Sequence, residues 1–242
     1  MRLAIVALAV LAACGGEDER ARRPVTPLDH TSTGVIRGAV RLDGPAPPAT
    51  MVSMGGIPEC AALHTGPVGS GDVVVHDGAV ENAFVYLKEG LGDRVFAVPD
   101  APVVVDQGGC LFRPRVAGAM VGQPIRFTNA DAVLHNVHGT PGASSAWNFG
   151  LPVKGSERTV RVTHPEVMIH VRCDLHPWMH AYLGVLDHPY FAVTGGDGTF
   201  TLADVPPGHY VVAVWHERLG TREIPVTLEP RATAEAQLHL IP

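Results

Sequence analysis

VMIHVRCDLHPWMHAYLGVL, residues 167–186, reads as two short strands joined by a tight loop. Val167–Arg172 alternates side chains with a period of two, as a half-buried strand does. Leu183–Leu186 is a second apolar run. Between them lies Cys173-Asp174-Leu175-His176-Pro177-Trp178-Met179, which puts a thiol, an imidazole and a thioether on one loop.

The same short-strand grammar runs outward in both directions. Gly34–Leu42 (GVIRGAVRL) alternates and stops at Asp43-Gly44-Pro45. Val73–His76, Ala83–Lys88, Val103–Asp106, Ile125–Asn129 and Thr159–Thr163 read as strands. So do Thr199–Leu202, Tyr210–Trp215 and Ile224–Leu228, separated by Gly-Gly-Asp-Gly and Pro-Pro-Gly turns. Met51–Asp72 reads as irregular, with one helical turn near Pro58–His64. Strands this short, with turns this regularly spaced, predict an all-β protein built of sandwiches.

The 242 residues allow one large or two small domains, and 27 glycines and 21 prolines suit a β-rich chain. A net charge of −6 argues against nucleic acid as a partner, because phosphate contacts need a basic face. Leu3–Ala13 is an apolar run too short to span a bilayer and right for the core of an export signal. It ends Leu11-Ala12-Ala13-Cys14-Gly15, which resembles the bacterial lipoprotein signal. That resemblance implies a signal peptide over 1–13, lipidation of Cys14 and a flexible tether over 14–32. It places the protein in the periplasm or on the cell surface, anchored to a bacterial membrane by lipid alone.

With Cys14 accounted for, Cys60, Cys110 and Cys173 remain. An oxidising compartment predicts one disulfide and one odd cysteine. Cys173 lies among histidines and a methionine, which gives it a reason to stay a thiolate. Cys60 and Cys110 are then expected to pair; the alternative is that both are reduced and Cys110 is merely buried.

Some forty residues before Cys173 lies Asn129-Ala130-Asp131-Ala132-Val133-Leu134-His135-Asn136-Val137-His138. Two imidazoles, a thiolate and a thioether are therefore available. Thiolate and thioether suit copper(I), imidazole suits copper(II), and such a set serves both states with little movement. Phe112-Arg113-Pro114, Val121–Asn129 and His135-Asn136-Val137, followed by C-x-x-H-P-x-M, resemble the cupredoxins, and among them the amicyanin type. The resemblance covers Cys110 to Leu186. It implies a Greek-key β-sandwich holding one type 1 copper through His135, Cys173, His176 and Met179. It also implies that the Asn136 side chain ties the two ligand loops together while its backbone N–H approaches the Cys173 sulfur. The chain departs from that pattern at Trp178, where the amicyanin type has Phe, and at His180. His138 is an odd number of residues from His135 and His170 is three before Cys173, so both are expected to face away from the ligands.

The outer segments are similar to the carboxypeptidase regulatory-like (transthyretin-like) sandwich. The resemblance rests on GVIRGAVRLDGPAPP, ENAFVYLKE, Thr194–Phe200 and Pro206–Tyr210. It implies a discontinuous sandwich over 33–90 and 189–242 with the cupredoxin domain, 91–188, inserted in it; a tandem arrangement is the alternative. Trp215-His216-Glu217 reads as structural. The function implied is one-electron transfer with a partner protein, a dehydrogenase or a cytochrome. It is not enzymatic, because the protein fills every ligand position. The His176 ring edge is expected at the surface, within a docking patch of Pro177 and Trp178. A copper chaperone or sensor, or a non-redox binding module on the cell surface, are the alternatives.

Overall fold

The computed structural model describes residues 23–242. The expected signal segment, 1–13, and the expected lipidation site, Cys14, lie outside the described residues. Apart from a helical turn at Pro58–Ala61, the regular structure among the described residues is all β.

One pair of facing sheets is built from both ends of the chain. Gly34–Leu42 pairs antiparallel with Thr199–Val205 and parallel with Thr233–Leu240. Opposite it, Phe84–Glu89 lies between Phe191–Val193 and Gly208–His216, and the latter pairs with Gly220–Leu228. The strand alternation points Ile36, Val40, Val85, Leu87, Phe200, Val212 and Leu238 into a common core. Burying each such side chain contributes about 1.5–3 kcal/mol.

The other pair of sheets carries the donor residues. In one, Ile125–Asn129 pairs in parallel with Val103–Gln107 and antiparallel with Glu157–Val160. In the other, the order is Trp147–Leu151, His135–Gly139, Glu166–Arg172, His180–Leu186, Val116–Met120. Val105, Phe127, Val137, Ile169, Val171 and Leu183 fill the space between.

The two cores interleave along the chain. Met54 and Cys60, which lie between the first strand and Phe84, pack in the donor-bearing core. Leu91 and Phe96 pack in the other. Thr26 donates its N–H to the Val95 carbonyl at 2.8 Å, so the end of the expected tether lies along the fold rather than free of it. The seam is made by Phe84, whose ring occupies the space a Cβ would take at Gly184 and, beside the nearer Phe191 ring, at Gly118. Beside it Arg115 forms a half-ring of hydrogen bonds with the Glu217 carboxylate, and Tyr182 packs on Trp215 with centroids 5.0 Å apart.

Candidate metal centre

Two turns at one end of the donor-bearing sheets bring the side chains together. Asn129 shapes the first. Its Nδ2 donates to the Val133 and Leu151 carbonyls at 2.9 Å each, and its Oδ1 accepts the Asp131 N–H at 2.9 Å. The chain then re-enters the sheet at His135, with its ring inward. The second turn is Cys173–Met179. The Cys173 N–H donates to the Met179 carbonyl at 3.1 Å, and the Met179 N–H to the His176 carbonyl at 2.9 Å. These bonds close the loop and turn its donors toward the core.

His135 Nδ1 lies 3.1 Å from His176 Nδ1, and that nitrogen lies 3.3 Å from Cys173 Sγ. One donor atom from each of the three residues falls within 4.8 Å of the others. His135 and Met179 are 0% exposed, Cys173 and His176 2%. The result is a buried His/Cys/Met cluster in which the His135, Cys173 and His176 donor atoms converge as metal ligands do, with Met179 buried beside them.

The surroundings orient the rings and hold the loops in place. His135 Nε2 lies 3.0 Å from Asp131 Oδ2. An Nε2–H donated there leaves Nδ1 free to face the cluster. Burial pushes the Asp131 carboxyl up, but hydrogen bonds from the Cys110 and Gly109 N–H groups and from His135 outweigh it and hold the group below its usual range. Burial, with the neighbouring His135 ring, pushes the His176 imidazole down, so it is a neutral donor at neutral pH. The backbone N–H of Asn136 points at Cys173 Sγ, 3.5 Å away. Its side chain accepts the Asp174 N–H at 2.6 Å and donates to Asn148 and Asp174, bridging the two turns.

The remaining histidines face elsewhere. His138 Nδ1 lies 2.9 Å from an Asp174 oxygen, on the opposite side of its strand from His135. His170 and His180 hydrogen-bond each other at 2.9 Å. Cys60 and Cys110 are joined, and Cys173 is the free cysteine among the described residues.

One expectation is corrected. The His176 ring edge does not reach the surface. A His176 ring nitrogen lies within 4.8 Å of both sulfurs of the Cys60–Cys110 bond, and the Trp178 ring packs on the imidazole at 5.4 Å. The cover includes Cys60, from a segment more than a hundred residues upstream. Trp178 is accordingly half-buried, its indole N–H donating to the Cys110 carbonyl at 3.0 Å. Pro177 is exposed, so of the expected docking pair one residue is exposed and the other half-buried. Asp131 was absent from the sequence-derived set. A carboxylate four residues before His135, in the turn begun by Asn129, was the available signal.

No protein-family model and no curated relative matches the chain. Solved structures do match in part. A copper-containing nitrite reductase from Thermus scotoductus SA-01 is 23% identical over 39% of this chain, with a TM-score of 0.32, and the match takes in 24% of that protein. A purple cupredoxin from Nitrosopumilus maritimus is 20% identical over 36% of this chain and 99% of its own, with a TM-score of 0.30. An amicyanin variant in its Cu(I) form is 22% identical over 43% of this chain and 99% of its own, with a TM-score of 0.32.

Proposed function

We propose that the chain is a one-electron carrier that holds a single type 1 copper ion through His135, Cys173, His176 and Met179. The observation that carries the reading is the convergence of the His135 and His176 Nδ1 atoms, 3.1 Å apart, with the Cys173 thiol, 3.3 Å from the latter, where the closed Cys173–Met179 loop meets the start of the His135 strand. Zinc would be served by nitrogen and thiolate alone; a buried thioether beside them suits copper. Copper bound there would supply a Cu(II)/Cu(I) couple.

The protein's part is to hold its donors still. Asp131 fixes the His135 ring, Asn136 clamps both turns, and the core around Met179 keeps water out. Rigid donors that suit both oxidation states keep reorganisation small. With the ligand positions filled by side chains, the reading includes no enzymatic step. It takes in export, a lipid anchor at Cys14, and a dehydrogenase or cytochrome as redox partner. Leu175 and Pro177, both exposed on the ligand loop, are the contacts offered to that partner.

The test is an optical spectrum on adding copper(II). An intense band at about 600 nm, bleached reversibly by one electron and absent in Cys173→Ser, supports the carrier. The covered His176 ring favours a second reading, a copper chaperone or sensor. A colourless protein that binds only copper(I) decides for that one.

A further inference from the structure

All four residues of the cluster are 2% exposed or less, so a metal ion has no open way to them. What covers His176 is itself a pair of sulfur atoms. The Sγ atoms of Cys60 and Cys110 and a ring nitrogen of His176 lie within 4.8 Å of one another, and all three residues are buried. His176 thus belongs to two donor groups at once, one with His135 and Cys173 and one with Cys60 and Cys110.

Resting on the copper reading above, we infer that the reduced Cys60 and Cys110 thiols form with His176 a second copper(I) site, through which the ion is loaded. Two thiolates and an imidazole are a soft set that suits copper(I). In the disulfide state neither sulfur is a thiolate and the group only covers the loop. A dithiol donor opens it by exchange. The Cys60–Cys110 bond breaks, two thiols form on this chain, and the donor leaves as its own disulfide. Copper(I) then displaces the thiol protons to solvent. Movement of the ion onto His135 and Cys173 keeps His176 as the shared ligand throughout.

Exchange requires the cover to lift, because both cysteines are 0% exposed. The cover is suited to that. Between Met51 and Gly69 its regular structure is two strands of two residues each and one helical turn. Its two strands pair with each other as a separate sheet and its turn bonds are local, so it can open as a unit without breaking a ladder of the larger sheets.

The test uses the full chain without metal. In Cys173→Ser, copper(I) is titrated anaerobically against a coloured copper(I) chelator, before and after reduction by a phosphine that is then removed. The reduced variant is expected to hold one copper(I) about 100-fold more tightly than the oxidised one, with the gain lost in Cys60→Ser/Cys173→Ser. No gain on reduction overturns the site. A second measurement uses the intact cluster. Reduced protein is expected to take up copper(I) about tenfold faster than oxidised protein, while Cys60→Ser, with its cover unclasped but the thiol pair gone, stays slow. Uptake by Cys60→Ser as fast as by the reduced protein would mean that opening alone suffices, and the site falls. The band at about 600 nm is scored separately. Its absence removes the electron carrier and leaves the copper(I) titration to stand or fall on its own.

Discussion

His135 Nε2 lies 3.0 Å from Asp131 Oδ2, and that carboxylate also accepts the N–H groups of Gly109 and Cys110. One buried acid therefore fixes the His135 ring and the backbone that carries the cover of His176. Asp131→Ala is expected to lower copper affinity about 10–100-fold, measured by chelator competition, with Asp131→Asn in between.

The same residue predicts an acid dependence. The Asp131 carboxyl sits below its usual value in the folded chain. Its contribution to stability is therefore present above the ordinary carboxylate value of about 4 and is lost as pH falls through the folded value. Denaturant melts of metal-free protein below about pH 4 should show a shallower loss of stability in Asp131→Asn than in the parent. Parallel acid limbs would exclude the linkage.

Asn136 bridges the turns through side-chain bonds to Asp174 of 2.6 and 3.1 Å and aims its N–H at Cys173 Sγ. Asn136→Ala is expected to cost about 1–2 kcal/mol in thermal or denaturant melts. Protein loaded with copper should also change colour, because the backbone N–H aimed at the sulfur loses the side chain that positions it. A spectrum identical to the parent's would show that the backbone N–H holds its place without the side chain.

The Cys60–Cys110 bond closes a loop with a sequence separation of 50. Loop entropy gives its removal a cost of about 4 kcal/mol. The double variant Cys60→Ala/Cys110→Ala is expected to show that loss as a lower guanidinium midpoint with an ordered donor-bearing core, followed by near-UV dichroism.

At the seam, a methyl group at residue 184 would fall on the Phe84 ring. Gly184→Ala is expected to destabilise by about 1–3 kcal/mol. Combined with Phe84→Leu, which frees the space, the cost should be less than the sum of the two single changes. Additive costs would mean that the two positions do not press on each other.

Strands whose residues announce a period were legible in the sequence. Gly34–Leu42 has alternation and an Asp-Gly-Pro stop, and the strand has those bounds. Val116–Met120, VAGAM, is flanked by turn residues at Pro114 and Gly122 but offers no β-branched alternation between them. It becomes a strand because it lies parallel to His180–Leu186 and because Gly118 makes room for Phe84 and Phe191. The donors at 173, 176 and 179 could be picked out because one loop carries them in an informative order. The covering of His176 could not, because it depends on where Cys60 lands after a long irregular segment has folded back. Local spacing carries no record of that encounter.

Phe84 standing against Gly118 and Gly184 also bears on modularity. The strand that leaves the Cys173–Met179 loop at His180 is gripped near its midpoint by an aromatic ring from the neighbouring pair of sheets. A fragment cut at 91–188 would keep every donor in the cluster, yet lose the ring that fills its glycine floor and the cysteine that roofs its imidazole. Transplanting the centre into another host means carrying Cys60 and Phe84 along with it.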